Sequence, residues 1–219
     1  MHAVVTVTIG EEFRQIADLT HPLMAAYARR IGADFISLHG DTAKPWLEKF
    51  RLFDFLGLYQ RVMFLDTDVI VKPDCPDLFE IVPADTFGAW LTSRHGPGFD
   101  PLIARIQQHL PDLGWRKTYF NSGVLVVSQK HRAAFAKPIE YEDEMYDQTL
   151  LNYRVQKLGY TIFDIGYNFN HTAAATLIAD RLASHILHYA GAGRARVDMI
   201  GSDLRLLRLL PGGNPAACR

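Results

Sequence analysis

Arg61-Val-Met-Phe-Leu-Asp66-Thr67-Asp68-Val-Ile-Val71 is the stretch from which the rest of the chain is read. Apolar residues on both sides of two carboxylates describe a buried strand interrupted at its carboxyl end. Burying an ionised carboxylate is costly unless a cation or strong donors meet it. Open α/β sheets bind their ligands at the carboxyl ends of their strands. Hard oxygen ligands one residue apart can hold a divalent ion, which can in turn bridge nucleotide phosphates. The competing reading is a plain acidic turn, and the apolar frame on both sides favours the metal.

Working outward, Val4–Ile9 is a β-branched strand closed by Gly10. Glu11–Ile31 repeats Phe13, Ile16, Leu19, Leu23 and Tyr27 at helical spacing, with Pro22 expected to kink or divide it. Phe35–Leu38 is a second strand, and Trp46–Leu58 is an amphipathic helix presenting Leu47, Phe50, Phe53 and Leu56. Further strands are expected at 87–91, 124–127, 161–163 and 185–189, with a loop at 93–101 and a long helix over 142–158. Strands alternating with helices and followed by mixed strands predict an α/β fold with a partly parallel central sheet.

The 219 residues favour one domain over two. Lys plus Arg is 23 against 24 Asp plus Glu, so no basic surplus points to nucleic acid. Two cysteines, Cys75 and Cys218, form no metal spacing and no framework, which predicts reduced thiols in a cytoplasmic protein. The chain shows no signal peptide and no apolar run long enough to span a membrane. Aromatic residues reach 11%, and whether Trp90, Trp115 and their neighbours are core or line an acceptor groove stays open. The tail Leu204-Arg-Leu-Leu-Arg-Leu-Leu210 reads as a last helix, over about 200–219, packed on the core. Its alternative is an interfacial anchor giving weak peripheral membrane contact.

Four motifs in order now carry a resemblance. They are Lys49-Phe-Arg51 through Asp66-Thr67-Asp68, Phe120-Asn121-Ser122-Gly123-Val124, Asp147-Gln148-Thr-Leu-Leu-Asn152, and His188-Tyr-Ala-Gly191. Together they resemble glycosyltransferase family eight, the retaining group of glycogenin and the lipopolysaccharide galactosyltransferases, over nearly the whole chain. The resemblance implies a single GT-A-type domain over 1–219, with a Rossmann-like, mostly parallel mixed sheet flanked by helices. It implies manganese, with magnesium as the alternative, on Asp66, Asp68 and His188. His188 is selected over His185 because Gly191 follows it at the family spacing. It also implies a UDP-sugar donor touched by Thr8, Ile9, Gly10, Lys49, Arg51, Asp66, Thr67, Asn121, Ser122, Gly191 and Arg194. Asp147 and Gln148 would be the catalytic pair beside the donor sugar.

The family often continues after this histidine motif with Lys-Pro-Trp; here Arg194 falls at the lysine position and the Pro-Trp is missing. Lys44-Pro45-Trp46 lies far upstream and reads as a helix start. Arg94 and His95 fall where related enzymes touch the donor sugar, without a clear match to their pattern. The expected function is transfer of a hexose to a hydroxyl on a sugar, lipid-linked glycan or protein. Its rivals are a sugar-phosphate nucleotidyltransferase and an inert sugar-nucleotide-binding or scaffold protein. Gly10-Glu11-Glu12 is acidic where a nucleotidyltransferase needs a basic phosphate loop.

Overall fold

A computed structural model of the chain describes residues 1–40, 42, 44–94, 98–172 and 181–210. The elements run β1 (His2–Ile9), α1 (Glu11–Arg30), β2 (Asp34–Gly40), a 3₁₀ stretch Pro45–Arg51 leading into α2 (Leu52–Leu58), β3 (Arg61–Leu65) and β4 (Val69–Val71). There follow α3 (Leu78–Ile81), β5 (Phe87–Trp90), α4 (Asp100–His109), β6 (Asn121–Ser128), α5 (Asp147–Lys157), β7 (Ile162–Asp164), β8 (His171–Thr172), β9 (Ile186–His188) and α6 (Arg196–Leu206). The six-stranded sheet has the order β2-β1-β3-β6-β5-β7. Its β2/β1, β1/β3 and β5/β7 pairs are parallel, while β6 runs antiparallel to both β3 and β5. This is a mixed α/β fold with a mostly parallel central sheet flanked by helices.

Alternation along the strands divides the core in two. Val5, Phe64, Leu125 and Val127 face Leu52, Leu56, Leu151 and Val155 of α2 and α5. Val4, Met63, Leu65 and Val126 face Met24 and Tyr27 of α1. Pro22 lies inside α1 and does not divide it; Ile16 and Thr20 before the proline are as buried as Met24 and Tyr27 after it. Cys75 is buried and free, whereas Cys218 lies outside the described residues.

Several boundaries differ from the sequence reading, each for a local reason. The helix expected from Glu142 begins at Asp147, because Tyr146 takes a positive φ of 55° that a helix cannot contain. Part of the loop expected over 93–101 is the start of α4, where Pro101 sits in the first turn and its missing N–H costs nothing. The last helix starts at Arg196 and ends at Leu206, not over 200–219. Arg208 turns left-handed at φ 58°, and Leu209 N–H reaches back to Leu204 O at 2.8 Å, closing a Schellman cap without glycine. Ile200 and Leu204 are buried against Ile16 and Leu187, and Leu207 and Leu210 pack on the same cluster. Leu204, Leu207, Leu209 and Leu210 therefore serve the core while Leu206 is exposed, and residues 211–219 lie outside the described set. Among the described residues no helix is long and apolar enough to cross a membrane.

One buried histidine makes stability depend on pH. Ser128 N–H donates to His131 Nδ1 at 3.1 Å, which requires that nitrogen to be unprotonated. Burial, with Lys130 adding to it, pushes the His131 pKa from 6.5 down to about 4. Burial and His39 do the same to His21, also to about 4. The unfolded chain takes up these protons first, so their contribution is whole above the unfolded pKa and is lost as pH falls toward 4. Urea midpoints should therefore drop between about pH 7 and about pH 4.5, and His131→Gln should flatten part of that drop. An unchanged slope in the variant would exclude His131 as a source.

Candidate active site

The two carboxylates of the interrupted strand sit where the chain leaves one sheet for another. β3 ends in the large sheet, whereas β4 joins a second sheet of order β4-β9-β8. The register places Val69 opposite His188, and Tyr189 N–H donates to Asp68 O at 3.0 Å. On the other side, Asp66 N–H donates to Gly123 O at 2.8 Å. Thr67 fastens the crossover from within. Its hydroxyl donates to Val7 O and lies 3.3 Å from Thr8 Oγ1, and Thr20 Oγ1 donates to Thr67 O at 2.7 Å. With Thr67 anchored into β1 and α1, Asp66 and Asp68 both reach the cavity.

Asp66, Asp68 and His188 present ligand atoms that all lie within 4.8 Å of one another. His188 Nε2 is 3.6 Å from Asp66 Oδ2 and 3.4 Å from Asp68 Oδ1. A chain of hydrogen bonds sets the ring. Gly123 N–H can only donate, so Asn121 presents Oδ1 to it at 2.9 Å. Asn170 Nδ2 then donates to the same oxygen at 2.8 Å, which turns Asn170 Oδ1 toward His188 Nδ1 at 2.7 Å. Nδ1 therefore carries a proton, and Nε2 is the ring atom left for a metal. Gly123 makes room for this: a Cβ there would lie 2.1 Å from His188 Cε1 and 2.8 Å from Asp66 Oδ2. Two carboxylates and one oriented imidazole nitrogen are a donor set that fits a divalent cation.

Beneath the carboxylates lies Lys49, 5% exposed. Its Nζ is 2.7 Å from Asp147 Oδ2 and 3.4 Å from Asp66 Oδ1, and it donates to Ser122 Oγ at 2.9 Å and Ser122 O at 3.1 Å. Burial disfavours the ammonium, but the Asp147 and Asp66 carboxylates outweigh it and raise its pKa above the ordinary value. Burial raises the Asp66 pKa, and the opposing pull of Lys49 and His188 does not cancel it. Asp68 is the more deeply buried of the two carboxylates, yet His188 and Arg196 facing it bring its pKa below the ordinary value.

Ser122 Oγ donates onward to Asp147 Oδ2 at 2.9 Å. Gln148 Oε1 accepts from Ser122 N–H and Asn121 Nδ2, both at 3.0 Å. Asn152 clamps Phe120 through its N–H and its C=O, both at 2.9 Å. Two motifs far apart in sequence are thus one hydrogen-bonded unit.

The structure brings most of the expected residues to one cavity of about 870 Å³. Ile9, Lys49, Asp66, Thr67, Asp68, Asn121, Ser122, Asp147, Gln148, His188 and Gly191 line it. Arg51 is not brought there: its guanidinium pairs with Glu48 one helical turn away. Lys49 faces the cavity, and its ammonium is surrounded by Asp147, Asp66 and Ser122. Thr8 is 2% exposed and bonded to Thr67 and His21, while Gly10 caps α1 at φ 88°. Arg194 lies in the 3₁₀ turn Gly193–Ala195 and Arg94 in the turn Thr92–Arg94, while His95 lies outside the described residues. His185 stacks on Phe169 at 5.3 Å, away from the cluster.

Residues that sequence reasoning passed over are Arg196, Asn170, Trp46 and Tyr146. Arg196 Nε lies 3.0 Å from Asp68 Oδ2, and its guanidinium packs over the Phe13 ring. It stands two residues beyond Arg194, so the basic character of that segment was the available signal.

Residues 44–193 match the description Glycosyl transferase family 8. No curated protein sequence matches the chain. Among solved structures, the chain is similar to a glycosyltransferase involved in the glycosylation of the major capsid of PBCV-1. That likeness has 12% identity and a TM-score of 0.60 over 91% of this chain and 99% of the other. It is similar to galactosyltransferase LgtC in complex with donor and acceptor sugar analogs, at 15% identity and TM-score 0.60 over 97% and 98% of the two chains. The glycosyltransferase GlyE of Streptococcus pneumoniae TIGR4 aligns at 18% identity and TM-score 0.57, over 97% of this chain and 65% of that one. At such identities the likeness is one of fold, the GT-A fold.

Proposed function

Because the chain belongs to glycosyl transferase family 8, we propose that it moves a hexose from a UDP-sugar to an acceptor hydroxyl, with manganese on Asp66, Asp68 and His188. Residues 1–219 act in this reading as one nucleotide-sugar-binding domain, and retention of anomeric configuration follows the family. The observation that carries it is the convergence of two carboxylates on an imidazole nitrogen whose orientation Asn170 sets. A bound divalent ion would supply charge neutralisation for the leaving diphosphate. Magnesium is the alternative, disfavoured by the nitrogen ligand.

The chain's own groups divide the remaining work. Arg196, 3.0 Å from Asp68 and lining the cavity, is the guanidinium placed to pair with phosphate oxygens, with Arg194 on the same segment. Asn121 and Gln148 hold each other at 3.0 Å beside the metal ligands and offer amide edges to sugar hydroxyls. Lys49 holds Asp66 and Asp147 in place from below and keeps like charges apart by standing between them. Ile9 and Gly191, which also line the cavity, would contact the nucleotide in this reading.

The nucleotidyltransferase alternative fares worse. Gly10 caps α1 and is followed by Glu11 and Glu12, which pair with Arg14 and Arg196, so no basic phosphate loop follows β1. The test is donor hydrolysis across UDP-glucose, UDP-galactose and the UDP-N-acetylhexosamines, with manganese and with a chelator. Manganese-dependent release of UDP from one donor is the expected result. Release of pyrophosphate from a nucleoside triphosphate and a sugar phosphate instead would favour the rival.

A further inference from the structure

Tyr146 occupies a backbone position that suits glycine. Its φ of 55° and ψ of −115° put it at the first central position of a tight turn closed by Gln148 N–H donating to Met145 O at 3.0 Å. A side chain kept there against that strain, with the residue 53% exposed, is not explained by packing. Its ring meets Trp46, with centroids 4.8 Å apart and planes tilted by 41°. Both residues line the mouth of the cavity that holds Asp66, Asp68 and His188.

The aromatic pair is built in place. Asp143 accepts Met145 N–H at 2.8 Å and the Tyr141 hydroxyl at 3.1 Å, and Tyr146 N–H returns to Asp143 O at 3.1 Å. Lys44 pairs with Glu142, joining the segment that carries Trp46 to the one that carries Tyr146. Glu144, also at the cavity, is held by Arg105 at 2.5 Å. Two half-open aromatic faces rimmed by a carboxylate and a guanidinium are amphipathic in the way a pyranose is. Such a ring has one face of C–H groups and an edge of hydroxyls. The next two residues, Asp147 and Gln148, turn inward to the polar network.

We propose that Trp46 and Tyr146 form the acceptor subsite, that its ligand is a pyranose ring stacked on the aromatic pair, and that the acceptor is therefore a glycan. This rests on the transferase reading for the word acceptor, while the sugar-binding surface stands on its own geometry.

The test is saturation-transfer NMR on the full chain, with and without UDP and magnesium. The probes are the methyl α- and β-glycosides of glucose, galactose and N-acetylglucosamine, together with lactose and maltose. We expect at least one probe to receive saturation at its ring C–H protons. Trp46→Ala and Tyr146→Ala should each weaken that binding tenfold or more, whereas Trp46→Phe should stay within threefold of the parent. UDP affinity of all three variants, read by calorimetry, should stay within threefold. If no probe binds, or if binding survives both alanine variants, the subsite is wrong. Failure of the parent protein to bind UDP would instead overturn the transferase reading and leave the sugar arm to be judged by itself.

Discussion

Gly123→Ala is expected to lower manganese-dependent UDP affinity by about 100-fold, in line with disturbed metal-orienting groups, while leaving a folded protein. The added methyl would start 2.1 Å from His188 Cε1 and 2.8 Å from His188 Nδ1 and Asp66 Oδ2. The backbone at Gly123 is tied through its O to Asp66 N–H and through its N–H to Asn121 Oδ1, next to the Val124–Leu65 pairing of β6 with β3. The His188 ring must therefore turn, breaking its bond to Asn170 and withdrawing Nε2 from the carboxylates. Overpacking of this kind costs about 1–3 kcal/mol of stability, so the thermal midpoint should fall by only a few degrees. Calorimetry and a melting curve on one sample separate the two effects. Unchanged affinity would mean that His188 is not held where the metal site needs it.

Lys49→Met should have the largest effect on stability. Methionine keeps much of the apolar stem but removes the ammonium that stands between Asp147 and Asp66. Its contact with the Phe64 ring, 4.8 Å from Nζ, loses its charge as well. Deleting one partner of a buried ion pair leaves an uncompensated charge and costs about 3–5 kcal/mol. Urea unfolding near neutral pH measures this directly. Adding Asp147→Asn to the variant should recover part of the loss, because the stranded carboxylate is then gone. A double variant no more stable than Lys49→Met would show that the lysine acts through packing alone.

The strands of the sheet and the pair Asp66 and Asp68 were legible in the sequence because their signals are local. β3 and β4 appeared as two apolar runs at their observed positions, and the carboxylates between them marked the crossover. What stayed hidden depends on side-chain direction or on distant partners. Arg51 and Lys49 are two residues apart, yet the 3₁₀ stretch turns one inward to Asp147 and the other outward to Glu48. Thr67 lines the cavity as expected of a site residue, but that its hydroxyl is taken up by β1, a strand some sixty residues earlier, is announced by no local pattern. Helix ends were misjudged where an unusual residue adopts a glycine conformation: Tyr146 before α5 and Arg208 after α6. The aromatic surplus divides in the same way. Trp115 and Phe99 stack with Tyr119 in the core near α4, Trp90 is buried at the cavity, and Trp46 stands at its mouth. No spacing rule distinguishes these three environments.

The central claim is that Asp66, Asp68 and His188 bind a divalent ion together with the nucleotide. Calorimetric titration of UDP, with and without manganese, into the parent protein and the Asp68→Ala and His188→Ala variants tests it most directly. Binding by the parent only with manganese is expected, with a loss of at least tenfold in each variant, within the range for altered metal sites. Equal UDP affinity with and without manganese, or binding that survives both substitutions, would contradict it.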